Sequence, residues 1–543
     1  MGNFNLEPML KDKVQQNSPG SREIGFILPD RYNASAILFD NLKSGRGNRI
    51  ALYSSGKKLT YSELCMHSCR IGNALLSQGL DRGDRVMMFL NDTPDYAAAV
   101  FGTLRAGLVP MMINTLSSKE LVQFYLEDSG AKAALFNEEY GHLFNTESLS
   151  GTKLKKLIAV DGDPPPGLGT VGIPGPDWFK EFPDLMVEAD THRNDMAFWM
   201  YSSGSTGRPK GIIHLQHDLA YTAASYGRNL LGLSEEDICF SVPKIFFAYG
   251  FGNSLTFPFS VGAASALLEQ WPTPSAIFDA VYEYRPTLFF ALPTVYTALI
   301  NYEGTRDTDF SSVRCFISAA EVLSGDVFKA WKERFGKEII EGLGSTEVLH
   351  IYLSNTLTEK KPGSAGKRVP GYELKLTDHE GKPAGVGCEG VLWVRGDSNA
   401  PCYWNRPEKT AETMREGWIW TGDRFVMDED GFYFFVGRAD DLIKVSGQWV
   451  YPMEVELCLN EHPKVKQCAV LGEKLPDGRM TLSAYIEVNK GVALDEFITG
   501  QLQNYVKKTL LPYKYPRKVV YLEELPKTGT GKIDRQALSR VSS

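Results

Sequence analysis

A loop of small residues that ends in a lysine is the first stretch of this chain whose residue types suggest chemistry. Residues 201–214 read YSSGSTGRPKGIIH, with Lys210 three positions after Gly207. Backbone N–H groups in such a loop can converge on an anion, while hydroxyls add donors and the lysine adds a point charge. The Walker A pattern G-x-x-x-x-G-K-[ST] does not fit, because Pro209 stands five residues after Gly204. Taken alone, the loop is either a phosphate cradle or a solvated linker.

Four further segments place charged side chains beside glycines or in tight turns. They read EGLGSTE (341–347), WTGD (420–423), GRADDLIKVSG (437–447) and PKTGTGKIDR (526–535). The last segment also fails the Walker pattern, because Ile533 follows Lys532. Each charged residue would, by itself, be an ordinary solvated side chain. The combination of the segments, in this order, is what indicates a shared site.

Composition limits the classes of protein that could use these groups. The 543 residues are 43% hydrophobic and 23% charged, and the formal net charge of −8 argues against a broad nucleic-acid surface. No apolar run reaches the roughly 18 residues that span a bilayer. The start MGNFNLEP lacks the basic and apolar regions of a signal peptide. The charge and the lack of a long apolar run predict no nucleic-acid or membrane partner. The eight cysteines are scattered without a Cys-x-x-Cys, which favours a reducing cytoplasm.

The first half of the chain alternates helical and strand patterns. Residues 60–80 begin at Thr60, an N-cap candidate with Glu63 three positions later, and carry apolar residues at helical spacing. Strand–helix–strand repetition of this kind predicts parallel α/β architecture, in which ligands bind at the carboxyl ends of strands. A second helix is predicted over 92–107, and strands are predicted within 81–90, 108–114, 285–293, 313–320 and 337–344.

The alternating pattern is interrupted once and then changes. Residues 160–176 are rich in proline and glycine and predict an exposed loop. After about residue 365, short strands with tight turns are predicted within 372–385, 389–396, 417–423 and 430–438. The remainder mixes helix and strand, which predicts a small separate α+β domain with its boundary near Asp440.

Together the five segments closely resemble the core motifs of the adenylate-forming superfamily: acyl-CoA synthetases, adenylation domains of peptide synthetases, and luciferases. The resemblance runs over nearly the whole chain. It implies an α/β fold in which residues 1–439 form a large N-terminal domain of parallel α/β sheets with a small β-barrel-like subdomain. Residues 440–543 would form a small, mobile α+β C-terminal domain.

The resemblance also implies a binding site for ATP and Mg²⁺. The loop lysine and its neighbours would hold the β- and γ-phosphates, Thr346 would bond the α-phosphate, and Glu347 would hold Mg²⁺, a hard cation that prefers oxygen ligands. The family usually has glycine where Ala320 stands, which is a departure beside the adenine. The residues implied to contact the nucleotide are Ser202, Thr206, Gly207, Lys210, Ala320, Glu321, Asp423 and Arg438, the last two at the ribose.

Three residues of the C-terminal domain have implied roles in two successive half-reactions. Lys532 would bridge the acid carboxylate and the α-phosphate, where an ammonium stabilises the negative charge that accumulates on oxygen. Asp440 would be the hinge of a domain rotation that removes this lysine. The segment 444–447 would then approach the adenylate, with Gly447 leaving room for the pantetheine arm of coenzyme A.

Two segments, 242–251 and 342–355, resemble benzoate–CoA ligases and relatives that act on substituted benzoates. No Asp occurs between Val242 and Thr256, which disfavours an α-amino acid because its buried cation would lack a partner. We expect His350 to lie near the ring and to influence tolerance for an ortho amino or hydroxyl group. The residues assigned to the aryl acid are His214, Phe247, Ala248, Tyr249, Leu343, Gly344, His350 and Ile351, each of which could also be an ordinary core residue.

The leading interpretation is an ATP-dependent aryl-acid–CoA ligase that forms an aryl-adenylate and then the thioester. A stand-alone enzyme that loads a carrier protein is an alternative, because the carrier presents the same pantetheine thiol and no site for the 3′-phosphate of coenzyme A is identified. A luciferase-like activity is a minor third. A nucleotide-binding regulator with a decayed active site is the non-enzymatic alternative, and the joint presence of Lys210, Glu347, Asp423, Arg438 and Lys532 argues against it.

Overall fold

The computed structural model describes residues 18–202, 208–304, 309–439, 443–445, 448–475, 480–489, 491–492, 494, 496–527 and 533–541, and all elements below are counted over these ranges. The chain divides into two compact units, residues 1–374 with 394–420 and residues 375–393 with 421–543. Asp423 and Arg438 thus lie in the second, C-terminal unit, whereas the sequence assigned them to the N-terminal domain. Asp440 lies outside the described residues, and its role as a hinge stays a prediction.

A seven-stranded sheet forms one layer of the first unit, counting the described strands. Its first six strands pair in parallel and the last pair is antiparallel. The inner strands are almost continuously apolar because both faces of a parallel sheet are covered. Across the sheet the order is Gly172–Pro174, Lys156–Ala159, Ala133–Phe136, Arg85–Phe89, Val109–Met112, Met196–Ser202 and Lys210–Leu215.

A nine-stranded sheet, again over the described part of the chain, forms the second layer of this unit. The central strands are parallel, and antiparallel pairs close both ends. Across the sheet the order is Lys367–Arg368, Ile351–Ser354, Ile339–Gly344, Cys315–Ser318, Leu288–Ala291, Ile238–Ser241, Ala264–Ala266, Ile50–Ser54 and Lys57–Thr60. Large apolar clusters lie against both sheets and form the core of the unit.

Helices cover the sheets of the first unit and begin where the sequence signals predict. The helix Tyr61–Ser77 starts at Thr60 with a capping box, in which Thr60 Oγ1 accepts the Glu63 N–H at 3.2 Å and Glu63 Oε2 accepts the Thr60 N–H at 2.8 Å. The other α-helices of this unit are Pro19–Glu23, Ala36–Lys43, Pro94–Arg105, Lys119–Ser129, Thr146–Leu149, Gly175–Trp178, Asp218–Thr222, Ala248–Phe251, Phe257–Val261, Pro274–Tyr284, Pro293–Ile300, Gly325–Phe335 and Pro407–Thr413.

Most of a five-stranded sheet and a three-stranded sheet lie in the second unit, as far as its residues are described. The first has the order Glu373–Thr377, Glu389–Arg395, Trp418–Met427 and Met414–Arg415, with Tyr433–Arg438 also paired to Trp418–Met427. The second has the order Val465–Lys474, Met480–Val488 and Lys518–Tyr521, beside the hairpin of Ile443–Val445 and Gln448–Val450. The helices Pro452–Asn460, Glu496–Thr509 and Arg535–Val541 complete the unit around its own apolar cluster.

The predicted parallel α/β architecture is confirmed, including the strands before and after helix Pro94–Arg105. Two details differ. The predicted loop 160–176 contains the edge strand Gly172–Pro174, because an edge strand tolerates a proline that donates no hydrogen bond. The β-barrel-like subdomain corresponds to the five-stranded sheet, whose described strands follow an open order. None of the helices in the described residues is long and apolar enough to cross a membrane.

Candidate active site

The glycine-rich loop joins two neighbouring antiparallel strands of the seven-stranded sheet. Strand Met196–Ser202 pairs with strand Lys210–Leu215, and Ser202 lies directly opposite Lys210. The loop therefore connects strands within one sheet and is not a linker between domains. Thr206 and Gly207 lie outside the described residues, so their phosphate contacts stay predictions.

A single turn of 3₁₀-helix, Thr346–Val348, carries the predicted catalytic pair. It follows the carboxyl end of strand Ile339–Gly344, the end at which parallel sheets bind ligands. The Ala400 N–H anchors it by donating to the Glu347 carbonyl oxygen at 2.7 Å. Leu349, the next residue, has φ of 74°, a left-handed conformation that costs free energy for a residue with a side chain. The surrounding structure thus holds the turn in a strained shape, as is common at functional sites.

Tyr403 contacts both charged side chains that the sequence assigns to phosphate and metal. Its hydroxyl donates to Glu347 Oε1 at 2.8 Å, and the Lys210 Nζ lies 4.4 Å from the centre of its ring. The tyrosine is 1% exposed, whereas Lys210 and Glu347 are half-buried. A hydroxyl–carboxylate hydrogen bond and a cation–π contact are each favourable there. Sequence reasoning missed this residue, because CYWNRP carries no charge pattern that marks a tyrosine as functional.

His214 lies against the Thr346 turn and is fully buried. Its Nε2 lies 2.8 Å from the Thr346 carbonyl oxygen, and its Nδ1 lies 2.8 Å from Asp218 Oδ2. The imidazole stacks on the Phe198 ring at an interplanar angle of 18°. The Thr346 carbonyl oxygen and the Asp218 carboxylate thus lie within hydrogen-bonding distance of different ring nitrogens. Both nitrogens therefore have protein partners, although the sequence assigned His214 to the acid. Asp218 was missed, and its position four residues after His214 was the available signal.

The predicted adenine loop follows the carboxyl end of strand Cys315–Ser318. Ala320 has φ of 72°, which costs an L-residue roughly 1–2 kcal/mol and which glycine adopts freely. The left-handed backbone is the physical reason that a glycine suits this position. The next residue, Glu321, accepts the Thr294 N–H on Oε2 at 3.3 Å. Ala320 thus adopts a backbone conformation that is strained for an alanine, and the contact of this loop with adenine stays a prediction.

The segment predicted to face the aryl acid begins a short helix. Phe247 is the N-cap of helix Ala248–Phe251, which continues as the π-helical segment Gly252–Thr256. The Tyr249 hydroxyl donates to the Ile317 carbonyl oxygen at 3.3 Å and so ties the helix to the central sheet. Such π-helical insertions occur frequently at functional sites.

His350 lies in an aromatic nest made partly by this segment. The ring centres of Phe257, Tyr226 and Tyr249 lie 4.4, 5.3 and 5.6 Å from that of His350, which is 3% exposed. Burial lowers the pKa of His350 to about 3, and a backbone contact with Tyr249 acts in the opposite direction. The imidazole is therefore neutral at pH 7. Neither nitrogen makes a side-chain hydrogen bond of good geometry to the described residues.

Two glycines allow the close approaches around His350. A Cβ on Gly252 would lie 2.5 Å from His350 Cδ2, so any side chain there would displace the imidazole. A Cβ on Gly344 would lie 2.5 Å from the His350 carbonyl oxygen, because Gly344 pairs with Ile351 across the antiparallel strands. Gly344 was among the predicted residues and Gly252 was missed. Leu343 precedes this glycine on the same strand and lies opposite Leu353.

The C-terminal unit contains the two predicted ribose residues as a cross-strand pair. Asp423 and Arg438 lie opposite each other in the register of their antiparallel strands. Arg438 Nη1 donates to Asp423 Oδ1 at 2.9 Å and to the Thr421 carbonyl oxygen at 3.1 Å. The arginine thus holds one carboxylate oxygen, which favours a fixed orientation of the acid that the resemblance assigns to ribose hydroxyls.

Lys532, Gly447 and Asp440 lie outside the described residues. Two described residues on either side of Lys532 pair with each other: Lys527 and Ile533 form an isolated antiparallel bridge. The roles that the resemblance implies for the three residues stay predictions.

The residues around Glu347 fit a magnesium ion that arrives with a nucleotide. No cluster of three or more His, Cys, Asp or Glu side chains able to hold a metal occurs in the described ranges. Mg²⁺ is commonly held by one or two carboxylates, substrate phosphates and waters, with no dedicated protein cage. A single half-buried carboxylate held by the Tyr403 hydroxyl is consistent with that mode of binding.

Comparison with known proteins agrees with this arrangement. The AMP-binding enzyme family matches residues 39–404, and the AMP-binding enzyme C-terminal domain matches residues 454–532. A benzoate–CoA ligase of Thauera aromatica is 39% identical over 94% of this chain and 96% of its own. A 4-hydroxybenzoate–CoA/benzoate–CoA ligase of Rhodopseudomonas palustris is 35% identical over 94% of each chain. The solved structure of the anthranilate CoA ligase AuaEII in complex with anthranoyl-AMP is 36% identical, with a TM-score of 0.88, over 95% of this chain and 98% of that chain.

Fold and site together define an adenylate-forming enzyme, which confirms the resemblance drawn from the motifs. The chain belongs to the AMP-binding enzyme family. The family match over residues 39–404 includes the loop lysine, the Thr346–Glu347 turn and Tyr403.

Proposed function

We propose that this protein activates benzoate, or a substituted benzoate such as 2-aminobenzoate, and transfers it to coenzyme A. It is an ATP-dependent, AMP-forming acid–CoA ligase that works through an aryl-adenylate. The observation that carries this function is the turn within residues 343–351. Glu347, which we assign to the metal, stands three positions before His350, which we assign to the acid, and Thr346, which we assign to the α-phosphate, stands four positions before His350. A carboxylate bound beside this turn is delivered directly to the α-phosphate.

The residues of the chain have distinct tasks in the first half-reaction. An oxygen of the acid carboxylate attacks the α-phosphorus of ATP, and the bond to pyrophosphate breaks. Lys210 and the hydroxyls of its loop hold the leaving phosphates, Thr346 bonds the α-phosphate, and Lys532 stabilises the charge on the oxygens that react. Mg²⁺, where bound by Glu347 and the phosphates, neutralises part of their charge.

The second half-reaction uses the same adenylate. The sulfur of coenzyme A attacks the acyl carbon, AMP leaves, and the thiol proton passes to solvent. Asp440 and Gly447 are proposed to serve this step, the former as the hinge of a domain rotation and the latter beside the pantetheine arm. We place the reaction in the cytoplasm, since all eight cysteines are free thiols and seven of them are buried.

The aromatic side chains around His350 favour a flat aromatic acid as the substrate. Tyr226, Tyr249 and Phe257 surround His350, and ligand pockets for aromatic groups prefer such walls. The neutral imidazole can donate from one nitrogen and accept on the other, and neither is used by a side chain among the described residues. An amino or hydroxyl group on the ring is therefore the substituent that this site would recognise.

Exchange of pyrophosphate into ATP tests the function. With radiolabelled pyrophosphate, exchange should require an aryl acid, and a panel of benzoate, 2-aminobenzoate and hydroxybenzoates should identify the preferred one. Free coenzyme A should then yield the aryl-CoA and AMP in equal amounts. If exchange occurs but only a pantetheinylated carrier protein accepts the acyl group, the carrier-loading alternative replaces the ligase. Absence of exchange with every acid would favour the nucleotide-binding regulator.

Substitution of His350 should change selectivity between acids. His350→Ala is expected to lower kcat/KM for 2-aminobenzoate about tenfold relative to benzoate, because one hydrogen bond to the ring substituent is lost. Since the pKa of His350 is about 3, the selectivity of the unmodified enzyme should not vary between pH 6 and pH 8.

Phe257→Leu serves as the control, because it alters the packing against His350 and leaves both ring nitrogens in place. Steady-state rates with the two acids, at equal Mg²⁺ and ATP, give the ratio of kcat/KM for 2-aminobenzoate to kcat/KM for benzoate in each variant. An unchanged ratio in His350→Ala would show that the imidazole does not contact the substituent.

A further inference from the structure

We propose that Tyr403 is a positioning residue for the nucleotide site, whose hydroxyl orients the Glu347 carboxylate toward the metal and whose ring face places the Lys210 ammonium. The proposal rests on the proposed function only in naming ATP and its divalent cation as the ligands. Its contacts lie within one compact unit of the protein.

The side-chain contacts are specific. The Tyr403 hydroxyl lies 2.8 Å from Glu347 Oε1, a normal distance for a hydrogen bond between a hydroxyl and a carboxylate. The Lys210 Nζ stands 4.4 Å from the centre of the same ring, well within the range of a cation–π contact. Tyr403 is 1% exposed, and both of its partners are half-buried, so access of water to the two contacts is reduced. One residue thus fixes two groups of opposite charge that must act on the same phosphates.

The backbone around Tyr403 ties together the two motifs that supply these groups. The Trp404 N–H donates to the Gly211 carbonyl oxygen at 2.8 Å, and Ile212 forms an antiparallel bridge with Tyr403. On the other side, the Ala400 N–H donates to the Glu347 carbonyl oxygen at 2.7 Å. The segment 400–404 therefore runs from the Glu347 turn to the strand that begins at Lys210. Its position, and not only the side chain of Tyr403, is fixed relative to both.

The chemistry explains why a hydroxyl is useful here. A carboxylate has two oxygens, and a donor held against Oε1 stops rotation of the group and leaves Oε2 for a cation. Groups that orient a metal ligand without touching the metal commonly contribute strongly to metal affinity. The ring acts on Lys210 independently of the hydroxyl, because a cation–π contact needs only the aromatic face. The two effects can therefore be separated by substitution.

Two substitutions separate them. Tyr403→Phe keeps the ring and removes the hydroxyl, whereas Tyr403→Leu removes both. With the full-length protein and α,β-methylene-ATP, which is not cleaved between the α- and β-phosphates, binding of Mn²⁺ is followed by electron paramagnetic resonance. Tyr403→Phe should raise the Mn²⁺ dissociation constant about tenfold. In EDTA its affinity for the analogue should stay within about twofold of wild type, while Tyr403→Leu should weaken that affinity roughly threefold.

The control is Tyr372→Phe, which removes another buried hydroxyl of the same unit, one that pairs with Ser398 Oγ at 2.9 Å. It should leave Mn²⁺ binding unchanged, and circular dichroism should show that all variants are folded. Tyr403→Phe binding Mn²⁺ as well as wild type, or more tightly, would overturn the proposal, as would failure of the wild type to bind the analogue. If the wild type binds both ligands but shows no acid-dependent exchange, the proposed function fails and the Mn²⁺ comparison still decides the role of Tyr403.

Discussion

Replacement of Lys532 by alanine is expected to lower the rate of aryl-adenylate formation about 10²–10³-fold, the usual cost of removing one group that stabilises charge in a transition state. Conversion of supplied aryl-adenylate and coenzyme A to the thioester should stay within a few-fold of the wild-type rate. The two half-reactions differ in whether they need the charge of this lysine. As the carboxylate attacks phosphorus, negative charge collects on oxygens that an ammonium can stabilise, whereas the attack of a thiol on the acyl carbon makes no such demand on this lysine.

Two separate assays check this expectation. Acid-dependent pyrophosphate exchange reports the first half-reaction, and thioester formation from synthetic benzoyl-AMP reports the second. Lys527→Ala is the matched control, because Lys527 is an exposed lysine at the edge of the same segment. It should leave both rates near wild type. Equal losses in both half-reactions for Lys532→Ala would refute the two-step assignment and with it the proposed hinge at Asp440.

The architecture was readable from the sequence because its signals are local. Thr60 with Glu63 marks a helix start, and runs such as 109–112 mark buried parallel strands, since both patterns depend on neighbours in the chain. The strand Gly172–Pro174 is the exception, because the sequence predicted a loop there. It contains a proline and a glycine and joins the sheet only because the edge position requires no N–H from Pro174. That requirement depends on the neighbouring strand and leaves no local trace.

The candidate site was readable in part for the same reason. Charged residues beside glycines marked Lys210, Glu347, Asp423 and Arg438, and the described structure gives Asp423 and Arg438 each other as partners. Tyr403 and Gly252 were not readable, because their roles arise from approaches between distant parts of the chain. A tyrosine is functional here only through its distance to Glu347, and a glycine only through its distance to His350. Spacing along the sequence carries neither distance.

His214 shows how burial can change the interpretation of a motif residue. The sequence assigns it to the acid because it follows the phosphate loop, whereas the structure pairs Nδ1 with Asp218 and Nε2 with the Thr346 carbonyl oxygen. The exposed fraction of His214 is 0%, and Phe198 covers one face of the ring. A residue in this position can act on the reaction through the Thr346 turn, to which it is bonded, without touching the substrate. We therefore propose a positioning role for it.

The two roles predict different kinetics. If His214 positions the turn, His214→Leu should lower kcat for pyrophosphate exchange roughly 30-fold, the equivalent of about 2 kcal/mol for a buried acceptor that loses its partner, and leave KM for the acid within about twofold. Selectivity among benzoates should not change. If His214 instead contacts the acid, KM should rise and selectivity should shift while kcat stays similar. Steady-state exchange at varied acid concentration distinguishes these results.

Loss of stability must be separated from loss of positioning, because His214→Leu removes one of the two histidine rings beside the buried Asp218 carboxylate. The His214 Nδ1 lies 2.8 Å from Asp218 Oδ2, and the His217 Nε2 lies 3.2 Å from Asp218 Oδ1. Removing one member of a buried pair commonly costs about 3–5 kcal/mol, whereas replacing both members by apolar residues is often close to neutral.

The double variant His214→Leu with Asp218→Leu should therefore unfold at a higher temperature than His214→Leu alone. Pyrophosphate exchange should remain slow in both, since neither variant can bond the Thr346 carbonyl oxygen. His217→Leu removes the other histidine beside Asp218, one that also contacts the Arg193 and Asp397 carbonyl oxygens and whose Nε2 lies 3.2 Å from Asp218 Oδ1. Because His214 still contacts the Thr346 carbonyl oxygen in this variant, it should lose stability and keep its kcat. Recovery of exchange along with stability in the double variant would mean that His214 matters only for folding.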